Sequence, residues 1–409
     1  MTQPPVSVVV VSRGRPTALI RCLTAITQLR YSCFEIVVIA DPSAVAAVEK
    51  LDFFAALKVF EFDEANISTA RNHGVRLSSG EIVAFIDDDS VPEPSWLMHL
   101  AQPFEHTKVA AAGGFVRGRN GISFQWKAQS IGENGFATDL EIETDHPIVL
   151  TPSESMGVKT QGTNMAFRRS VLMALGGFDP SFRYFHDETD LNMRLAQRGC
   201  FTAIVPLAEV HHGYASNPGR ARNRVPNDLF QVGASWAVFL RKHCPEGQSA
   251  RVWKEVQKSE RHRALRHLVS GGMEPRDVLA LLRSLRAGFE EGARRDVVLL
   301  SPLSDAAADL RPYRRANIGP SELISGRTWN ARRLKRRARQ MVRDGHVVTL
   351  ILLSPTALFH RVRFHADGYW VHRGGLFGKS DRDSRLVRAF SFRQRIRIER
   401  ERVAIQRLL

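Results

Sequence analysis

Short apolar runs alternate with amphipathic stretches through roughly the first 120 residues of the chain. The runs are rich in β-branched residues, as in strands buried on both faces of a sheet, and the stretches between them carry apolar residues at helical spacing. The predicted strands are Val6–Ser12, Glu35–Ala40, Lys58–Glu61, Ile82–Ile86 and Val109–Val116, and the predicted helices are Pro16–Gln28, Ala44–Ala56, Ile67–Ser78 and Ser95–Pro103. This order predicts an α/β fold with a doubly wound, mostly parallel sheet.

Three of these strands end in polar residues, namely Ser12-Arg13, Asp41 and the run 87–89 (Asp-Asp-Asp). Ligands bind beyond the carboxyl ends of the strands in open α/β sheets. Three adjacent carboxylates repel one another unless a cation lies among them, and hard oxygen ligands suit Mg²⁺ or Mn²⁺ together with a substrate phosphate. The alternative is an acidic turn that caps the next helix, near residues 92–95.

Two nucleotide-binding motifs are missing from the sequence. No G-x-G-x-x-G follows the first strand, and no G-x-x-x-x-G-K-[ST] occurs anywhere in the chain. This argues against dinucleotide-dependent oxidoreductases and P-loop enzymes.

The 409 residues are sufficient for two or three domains, and a composition of 44% apolar and 24% charged residues is that of an ordinary globular protein. Residues 1–240 hold 21 Lys and Arg against 25 Asp and Glu, whereas residues 241–409 hold 37 against 17, so the halves carry −4 and +20. We therefore predict a domain at 1–240 and a separate basic α+β region at 241–409. No signal peptide or membrane span is expected, and the four spaced cysteines favour a reducing, cytoplasmic setting.

Several segments in combination resemble the family-2 glycosyltransferases of the GT-A type, over about residues 5 to 240. The matching segments are Val6–Val11 with the loop 12–16, Asp41, residues 66–74 with Gly80-Glu81, Asp87-x-Asp89 in the place of a D-x-D motif, and Gly113-Gly114. The resemblance implies a GT-A-like sheet and a nucleotide-sugar donor bound with Mn²⁺ or Mg²⁺. It assigns donor binding to Ser12, Arg13, Arg15, Asp41, Arg71, Asp87, Asp88, Gly162 and Thr163. It assigns the metal to Asp89 and Asp87 with His211 or His212, of which His211 is favoured.

A second acidic segment, residues 187–190 (Asp-Glu-Thr-Asp), opens a predicted helix. Acidic residues are favoured in a first helical turn by the helix dipole alone. The segment also resembles the family's acidic motif, in which a carboxylate deprotonates the acceptor hydroxyl. The usual order Glu-Asp is inverted here, so Glu188 takes the base position and Asp187 competes with it. Asp190 is expected to orient the segment, with Arg194 four residues later.

The resemblance implies an inverting transfer of a sugar, with a UDP-sugar as the expected donor, to a hydroxyl of a glycan, polysaccharide or glycolipid. A single addition is expected, because the processive Q-x-x-R-W motif is missing. The alternatives are a non-catalytic nucleotide-sugar or polyanion-binding protein and a sugar-phosphate nucleotidyltransferase.

The basic region is predicted to contain helices and a few strands, with Asp296–Leu300, Val347–Leu353 and a hairpin within Arg361–Arg373 as strands, and Trp253–Ser270, Pro275–Leu285, Arg327–Arg343 and Arg385–Leu409 as helices. Its charge is either a solvated face or a surface for anionic lipid at the inner face of a membrane. No nucleic-acid motif is found, so nucleic acid is not expected as a partner.

Overall fold

A computed structural model describes residues 3–213, 225–297, 299–304, 309–314, 319–381 and 383–409 of the chain. Its strands are β1 Val6–Ser12, β2 Phe34–Ala40, β3 Leu57–Glu61, β4 Ile82–Asp87, β5 Ser90–Pro92, β6 Val109–Arg117, β7 Phe124–Trp126, β8 Gln129–Gly132, β9 Ala137–Asp139, β10 Ile148–Leu150, β11 Met156–Lys159, β12 Met165–Arg168, β13 Phe201–His212, β14 Ser321–Arg327, β15 Val347–Ser354, β16 Arg361–Phe364 and β17 Trp370–Gly375. Its α-helices are α1 Pro16–Ile26, α2 Pro42–Val48, α3 Ile67–Leu77, α4 Trp96–Ala101, α5 Arg169–Ala174, α6 Asp187–Gln197, α7 Phe230–His243, α8 Ser249–Val269, α9 Pro275–Arg294, α10 Ala331–Arg343, α11 Phe392–Glu401 and α12 Ala404–Arg407.

The N-terminal sheet runs in the order β3-β2-β1-β4-β12-β6-β13-β10, with β5 paired to β13 and β7 to β6. Strands β1 to β4 are parallel and β6 is parallel to β13, whereas β12 and β10 run antiparallel to their neighbours. The predicted mostly parallel α/β sheet is therefore confirmed. In this sheet β2 lies on one side of β1 and β4 lies on the other. The strand order therefore reverses between β1 and β4, which is the switch point of the sheet.

Apolar side chains cover both faces of this sheet. On one face Leu23 of α1 and Trp96 of α4 pack with β-strand residues, and on the other Val75 of α3 and Leu191 of α6 do so. The alternation of side chains along a strand supplies both faces from the same apolar runs. Two helical layers therefore hold the switch point rigidly between them.

The C-terminal part contains a second sheet, in the order β14-β15-β17-β16. Strands β14, β15 and β17 are parallel, with α10 crossing between β14 and β15, and β16 forms with β17 the predicted antiparallel hairpin. Gly368 in the hairpin turn has a φ of 80°. This is the left-handed region that glycine adopts without strain.

Several predicted boundaries were wrong. The helix expected at 44–56 ends at Val48 and is followed by a short 3₁₀ turn, and the basic helix begins at Ala331 because residues 321–327 form a strand. Of the predicted strand at 296–300, the described residues form none, and the helix predicted from Arg385 begins only at Phe392. The boundary drawn at residue 240 falls inside α7. The local pattern of apolar and polar residues does not show where tertiary packing ends a helix or a strand.

The two sheets are in direct contact. Ala25 of α1 and Val91 of β5 share a buried apolar cluster with Val362, Phe364 and Trp370 of the C-terminal hairpin. Within the described part of the chain, no helix combines the length and the apolar character needed to cross a membrane.

Candidate functional site

Three side chains with metal-ligand atoms meet at the end of β4, namely Asp87, Asp89 and His212, which we call the β4 cluster. Their ligand atoms lie within 4.8 Å of one another, and Nε2 of His212 is 3.2 Å from Oδ1 of Asp89. The amide of Gly213 also donates to the carbonyl of Asp89 at 2.7 Å, which ties the histidine segment to the acidic run. Carboxylates with an imidazole form a donor set suited to Mn²⁺ and similar divalent ions.

His211, the histidine favoured from the sequence, lies outside this cluster. Strand β13 pairs antiparallel with β5, so that His212 stands opposite Ser90 and His211 opposite Val91. Successive side chains of a strand point to opposite faces, so only one of the two histidines can face the carboxylates. Nε2 of His211 is instead 2.8 Å from Oε1 of Glu93, in a buried position. The preference for His211 is thereby corrected in favour of His212.

Asp88, the middle carboxylate of the run, is fully buried and holds the loop after β1. Its carboxylate accepts a hydrogen bond from Oγ of Ser12 at 2.7 Å and pairs with the Arg15 guanidinium at 2.7 Å. Burial raises the pKa of Asp88 to about 7, although Arg15 and Ser12 act in the opposite direction. Arg15 also approaches Asp89 at 3.6 Å, so it is a cation among the three carboxylates. Arg13 points elsewhere and pairs with Asp63 at the surface.

Asp41 joins the ends of β1 and β2. It is the N-cap of α2, where Oδ1 accepts from the amide and hydroxyl of Ser43, and its Oδ2 accepts from the amide of Gly14 at 2.6 Å. Burial would raise the pKa of Asp41, but these hydrogen bonds lower it. Its carboxylate therefore stays ionised and fixes the loop that carries Arg15.

Arg71 connects the β4 cluster to the second acidic segment. It is buried on α3 and pairs with Asp187, while one terminal nitrogen lies 3.6 Å from Oδ1 of Asp87 and 3.4 Å from the carbonyl of Gly162. A Cβ on Gly162 would lie 2.5 Å from a terminal nitrogen of this guanidinium, so a larger residue there would displace the end of the Arg71 side chain. Arg71 therefore lies between the two acidic groups.

Asp187 and Glu188, the two candidates for the base, have different surroundings. Burial raises the pKa of Asp187 to about 7, with Glu188 adding to the effect and Arg71 opposing it. Burial would also raise the pKa of Glu188, but Lys159, 3.6 Å away, and Arg71 lower it. Glu188 is the more accessible of the two, with 14% of its side chain exposed against 4% for Asp187. Glu188 is therefore the more exposed of the two carboxylates and the one whose pKa is lowered.

The segment before these carboxylates has an unusual backbone. Phe185 and His186 have φ values of 72° and 63°, and His186 is the N-cap of α6 although its side chain makes no capping hydrogen bond. Such conformations cost energy in residues other than glycine and cluster at functional sites. They bring both carboxylates to the first turn of α6.

Asp190, expected from the sequence to orient this segment, is fully buried on α6. It pairs with Arg194 at 2.8 Å, and also with Lys242 at 2.6 Å and His243 at 2.9 Å. Burial would raise the pKa of Asp190, but these cations hold it well below its usual range. Lys242 and His243 were not predicted, because they lie about fifty residues away in sequence and beyond the boundary assumed at residue 240.

Ser90 and Gln125, like Lys159, were not identified as site residues from the sequence. Oγ1 of the predicted Thr163 is 2.6 Å from Oγ of Ser90, which follows the acidic run. Nδ1 of His212 lies 3.1 Å from Oε1 of Gln125 on β7. Because an amide oxygen only accepts, this contact places a proton on Nδ1, and Nε2 is the ring nitrogen that lies towards Asp89. No local motif marks Gln125, Ser90 or Lys159, since each acts only through a partner distant in sequence.

Comparison with known proteins gives a consistent result. Residues 7–176 match the family described as Glycosyl transferase family 2. The pre-mycofactocin glycosyltransferase of Mycobacterium tuberculosis is 26% identical over 244 residues, which cover 58% of this chain and 48% of that protein. The glucosyl-dolichyl phosphate glucuronosyltransferase of Haloferax volcanii is 26% identical over 162 residues, covering 36% and 47%. The chain thus spans about half the length of these relatives.

A third relative, the N-acetylglucosaminyl-diphospho-decaprenol L-rhamnosyltransferase of M. tuberculosis, is 37% identical over 71 residues, which cover 17% of this chain and 23% of that protein. Among solved structures, GalNAc-T7 with UDP, GalNAc and Mn²⁺ aligns with a TM-score of 0.45 at 16% identity, covering 58% of this chain and 48% of that one. A mannosyltransferase from Pyrobaculum calidifontis in complex with GDP-Man and Mn²⁺ aligns with a TM-score of 0.44 at 16% identity, covering 72% and 88%.

Proposed function

We propose that this chain is an enzyme that moves a sugar from a nucleotide-diphosphate donor to an acceptor hydroxyl, a function supported by the match of residues 7–176 to glycosyl transferase family 2. The observation that carries the proposal is the joining of two acidic groups by one buried arginine. Arg71 contacts Asp87 of the β4 cluster and Asp187 of the second acidic segment, residues 187–190. A donor phosphate at one group would therefore lie beside a carboxylate base at the other.

The β4 cluster is the proposed place of a divalent ion, Mn²⁺ or Mg²⁺. The fit rests on the three ligand atoms within 4.8 Å, on the mixed carboxylate and imidazole donors, and on the tautomer that Gln125 imposes on His212. An ion bound there would neutralise negative charge on the leaving nucleoside diphosphate. Asp88 is not among the ligands in this proposal, because its carboxylate is engaged by Ser12 and Arg15.

The residues around the cluster then have separate roles. The loop held by Asp41 and Asp88 would carry the nucleotide, for which a UDP-sugar is the expected donor, with Arg15 close to its phosphates. The small residues Gly162 and Thr163 would allow the donor sugar to approach the backbone. Arg13, paired with Asp63 at the surface, would contribute at most to the rim of this site.

Glu188 is the proposed general base. Its lowered pKa keeps it ionised at neutral pH, and its partial exposure lets an acceptor hydroxyl reach it. It would remove the acceptor proton as the hydroxyl attacks the anomeric carbon from the face opposite the leaving diphosphate. This in-line displacement inverts the configuration of the sugar. Asp187 is the buried partner of Arg71 in this arrangement.

The test is a screen of nucleotide sugars for nucleotide release, with Mn²⁺ and with EDTA. We expect release from one donor class, dependent on the divalent ion, and product of inverted anomeric configuration by NMR. A protein that binds nucleotide sugars but releases nucleotide from none of them would contradict the enzyme proposal and favour the non-catalytic alternative. The nucleotidyltransferase alternative predicts that a nucleoside triphosphate and a sugar 1-phosphate give a nucleotide sugar and pyrophosphate, which a separate assay for pyrophosphate release detects.

The acceptor is proposed to be lipid-linked and reached at an anionic membrane surface. Two of the relatives are named for dolichyl phosphate and decaprenol acceptors. In this chain the loops 356–360 and 386–388 both form backbone contacts with residues 377–379. The two loops expose Leu358, Phe359, Leu386 and Val387. They lie within residues 241–409, which carry a net charge of +20. Exposed apolar tips among basic residues are typical of surfaces that insert into anionic membranes.

Flotation with vesicles tests this surface. We expect binding to vesicles that contain anionic lipid, loss of binding when Leu358 and Phe359 are both changed to Ser, and no loss in the matched variant Val269→Ser, which alters an exposed apolar residue at the end of α8. Equal flotation of all three proteins, or none at any composition, would remove the membrane proposal and leave the basic region as a solvated face.

A further inference from the structure

Arg407, the last residue of α12, is a fully buried cation that contacts the segment around β5 and β13, the strand pair that carries His212 of the β4 cluster. Its Nε and one terminal nitrogen donate to the two carboxylate oxygens of Glu93, both at 2.8 Å. Glu93 directly follows β5, and its Oε1 also accepts from Nε2 of His211 at 2.8 Å. Because His211 and His212 are neighbours on β13, this chain of contacts ends at the histidine of the cluster.

The strand pair itself is short. Strand β5 has three residues, and it pairs with β13 through Val210, His211 and His212. A pair of this length has few backbone hydrogen bonds of its own, so its geometry depends on what packs against it. On one face His212 contacts Asp89 and Gln125, and on the other His211 contacts Glu93. On the side of His211, Arg407 supplies the positive charge that pairs with Glu93.

The surroundings of Arg407 fix its position. Its guanidinium lies 4.1 Å from the centre of the Trp370 ring, which also packs against His211, and it donates to Oγ1 of Thr349 at 3.3 Å. The same terminal nitrogen is 2.7 Å from Nε2 of His372. A guanidinium only donates, so Nε2 of His372 must accept and its Nδ1 carries the proton, facing Nε2 of His360 at 3.0 Å.

A second group of residues with metal-ligand atoms consists of His360, His372 and Glu399, whose ligand atoms lie within 4.8 Å of one another. The proton on Nδ1 of His372 affects whether this group can bind a metal ion. Nδ1 of His372 is protonated and its Nε2 accepts from Arg407, while Arg395 pairs with Glu399 of the same group. A divalent ion would have to displace that proton next to two guanidinium charges, which is unfavourable. We therefore assign no divalent ion to this group.

We propose that Arg407 is a positioning residue for the β4 cluster, acting through Glu93 and His211 to set the place of His212, so that the C-terminal sheet controls divalent-ion affinity at the N-terminal site. The inference rests on the proposed function, because it assumes that the β4 cluster binds the ion. Outer residues that orient a metal-binding side chain typically change metal affinity by about 10- to 100-fold.

The test measures Mn²⁺ binding to the full chain in the presence of UDP, from the electron paramagnetic resonance signal of free Mn²⁺. In Arg407→Lys the charge stays but the two parallel hydrogen bonds to Glu93 cannot form. We expect its affinity for Mn²⁺ to fall about 10-fold or more. Glu93→Gln, which removes the same ion pair from the other side, is expected to have the same effect, and it serves where the arginine variant does not fold.

The matched control is Arg395→Lys. Arg395 is also a buried arginine paired with a glutamate, and it binds Glu399, Ser380 and the carbonyl of Gly378, all in the C-terminal part. We expect Arg395→Lys to lower the thermal unfolding temperature to a similar extent while its Mn²⁺ affinity stays that of the unchanged protein. This comparison separates positioning from a general loss of stability.

Three outcomes are distinguishable. Weaker Mn²⁺ binding in the Arg407 and Glu93 variants but not in Arg395→Lys supports the inference. Unchanged binding in folded Arg407→Lys, or equal weakening in Arg395→Lys, overturns it and leaves the proposed function intact. If the unchanged protein binds no Mn²⁺ with UDP, then the metal part of the proposed function and this inference both fail.

Discussion

The two sheets of this chain are built on the same plan, yet only one has catalytic-type residues at its strand ends. In the N-terminal sheet, β1 and β4 end at Ser12 and Asp87, on either side of the switch point, and the acidic run follows. In the C-terminal sheet, β15 and β17 end at Ser354 and Gly375, and the loop after β15 closes over that edge, since a Cβ on Gly375 would lie 2.1 Å from the carbonyl oxygen of Thr356.

The difference shows that a parallel sheet supplies a place for a ligand, but the residues at the strand ends decide whether it is used. The C-terminal sheet has its own buried core, including Leu334 of α10 and Leu350 of β15, and it contributes buried contacts to the other sheet through Trp370 and Arg407. We therefore expect changes at the first sheet to reduce turnover and changes in the second to act mainly on stability.

The largest effect on turnover is expected for Glu188→Gln. Removal of a general base costs about 10²- to 10⁴-fold in rate, while donor affinity should be retained because the amide has the same shape. Single-turnover transfer and donor titration measure the two quantities. Asp187→Asn is the comparison, since it leaves Arg71 buried without its charge and is expected to destabilise the fold by about 3–5 kcal/mol. Retained transfer in Glu188→Gln together with loss in a folded Asp187→Asn would reverse the assignment.

A large effect is also expected for Asp89→Asn. The substitution removes one charge from the β4 cluster and keeps the side-chain volume, so we expect turnover to fall about 10²- to 10³-fold, with a higher Mn²⁺ requirement. Titration of activity with Mn²⁺ checks this. Ser354→Ala, at the corresponding strand end of the second sheet, is the control and is expected to leave turnover unchanged. Full activity of Asp89→Asn at low Mn²⁺ would show that the acidic run is only a turn.

The pH dependence of kcat/KM sharpens the choice between the carboxylates. A base must be ionised, so activity is lost as the pH falls through its pKa. Because the pKa of Glu188 is lowered and that of Asp187 is raised to about 7, the acid limb should lie below the ordinary range for a glutamate if Glu188 is the base. An acid limb near neutral pH would instead indicate Asp187.

The smallest effect on turnover is expected for Leu334→Ala, in the buried core of the C-terminal sheet. Loss of a buried leucine typically costs about 2–5 kcal/mol of unfolding free energy. We expect denaturant unfolding to register that loss, while turnover per folded molecule stays close to that of the unchanged protein. A strong loss of turnover in folded Leu334→Ala would mean that the two sheets are coupled more broadly than through Arg407.

Much of the fold was predictable because apolar periodicity is a local signal. Strands β1, β2, β4 and β6 were placed within one or two residues, and the order of strands and helices gave the parallel sheet. The broken helix after Val48 and the missing strand near Asp296 were not predictable, because packing of distant segments decides where such elements end. Among site residues, motifs indicated Asp87, Asp89, Asp190 and Arg194, but not the contacts of Arg71.

The sequence by itself determined the class of fold, the family-2 resemblance and the two acidic segments, because these depend on residue types at short spacing. Only the tertiary structure decided that His212, and not His211, faces the carboxylates, since strand pairing sets which side of β13 meets β5. It also decided that Glu188 is the accessible carboxylate and that Arg407 reaches Glu93 from 314 positions away in the chain. Burial, register and long-range charge pairing arise only when distant segments pack together, and no local pattern records them.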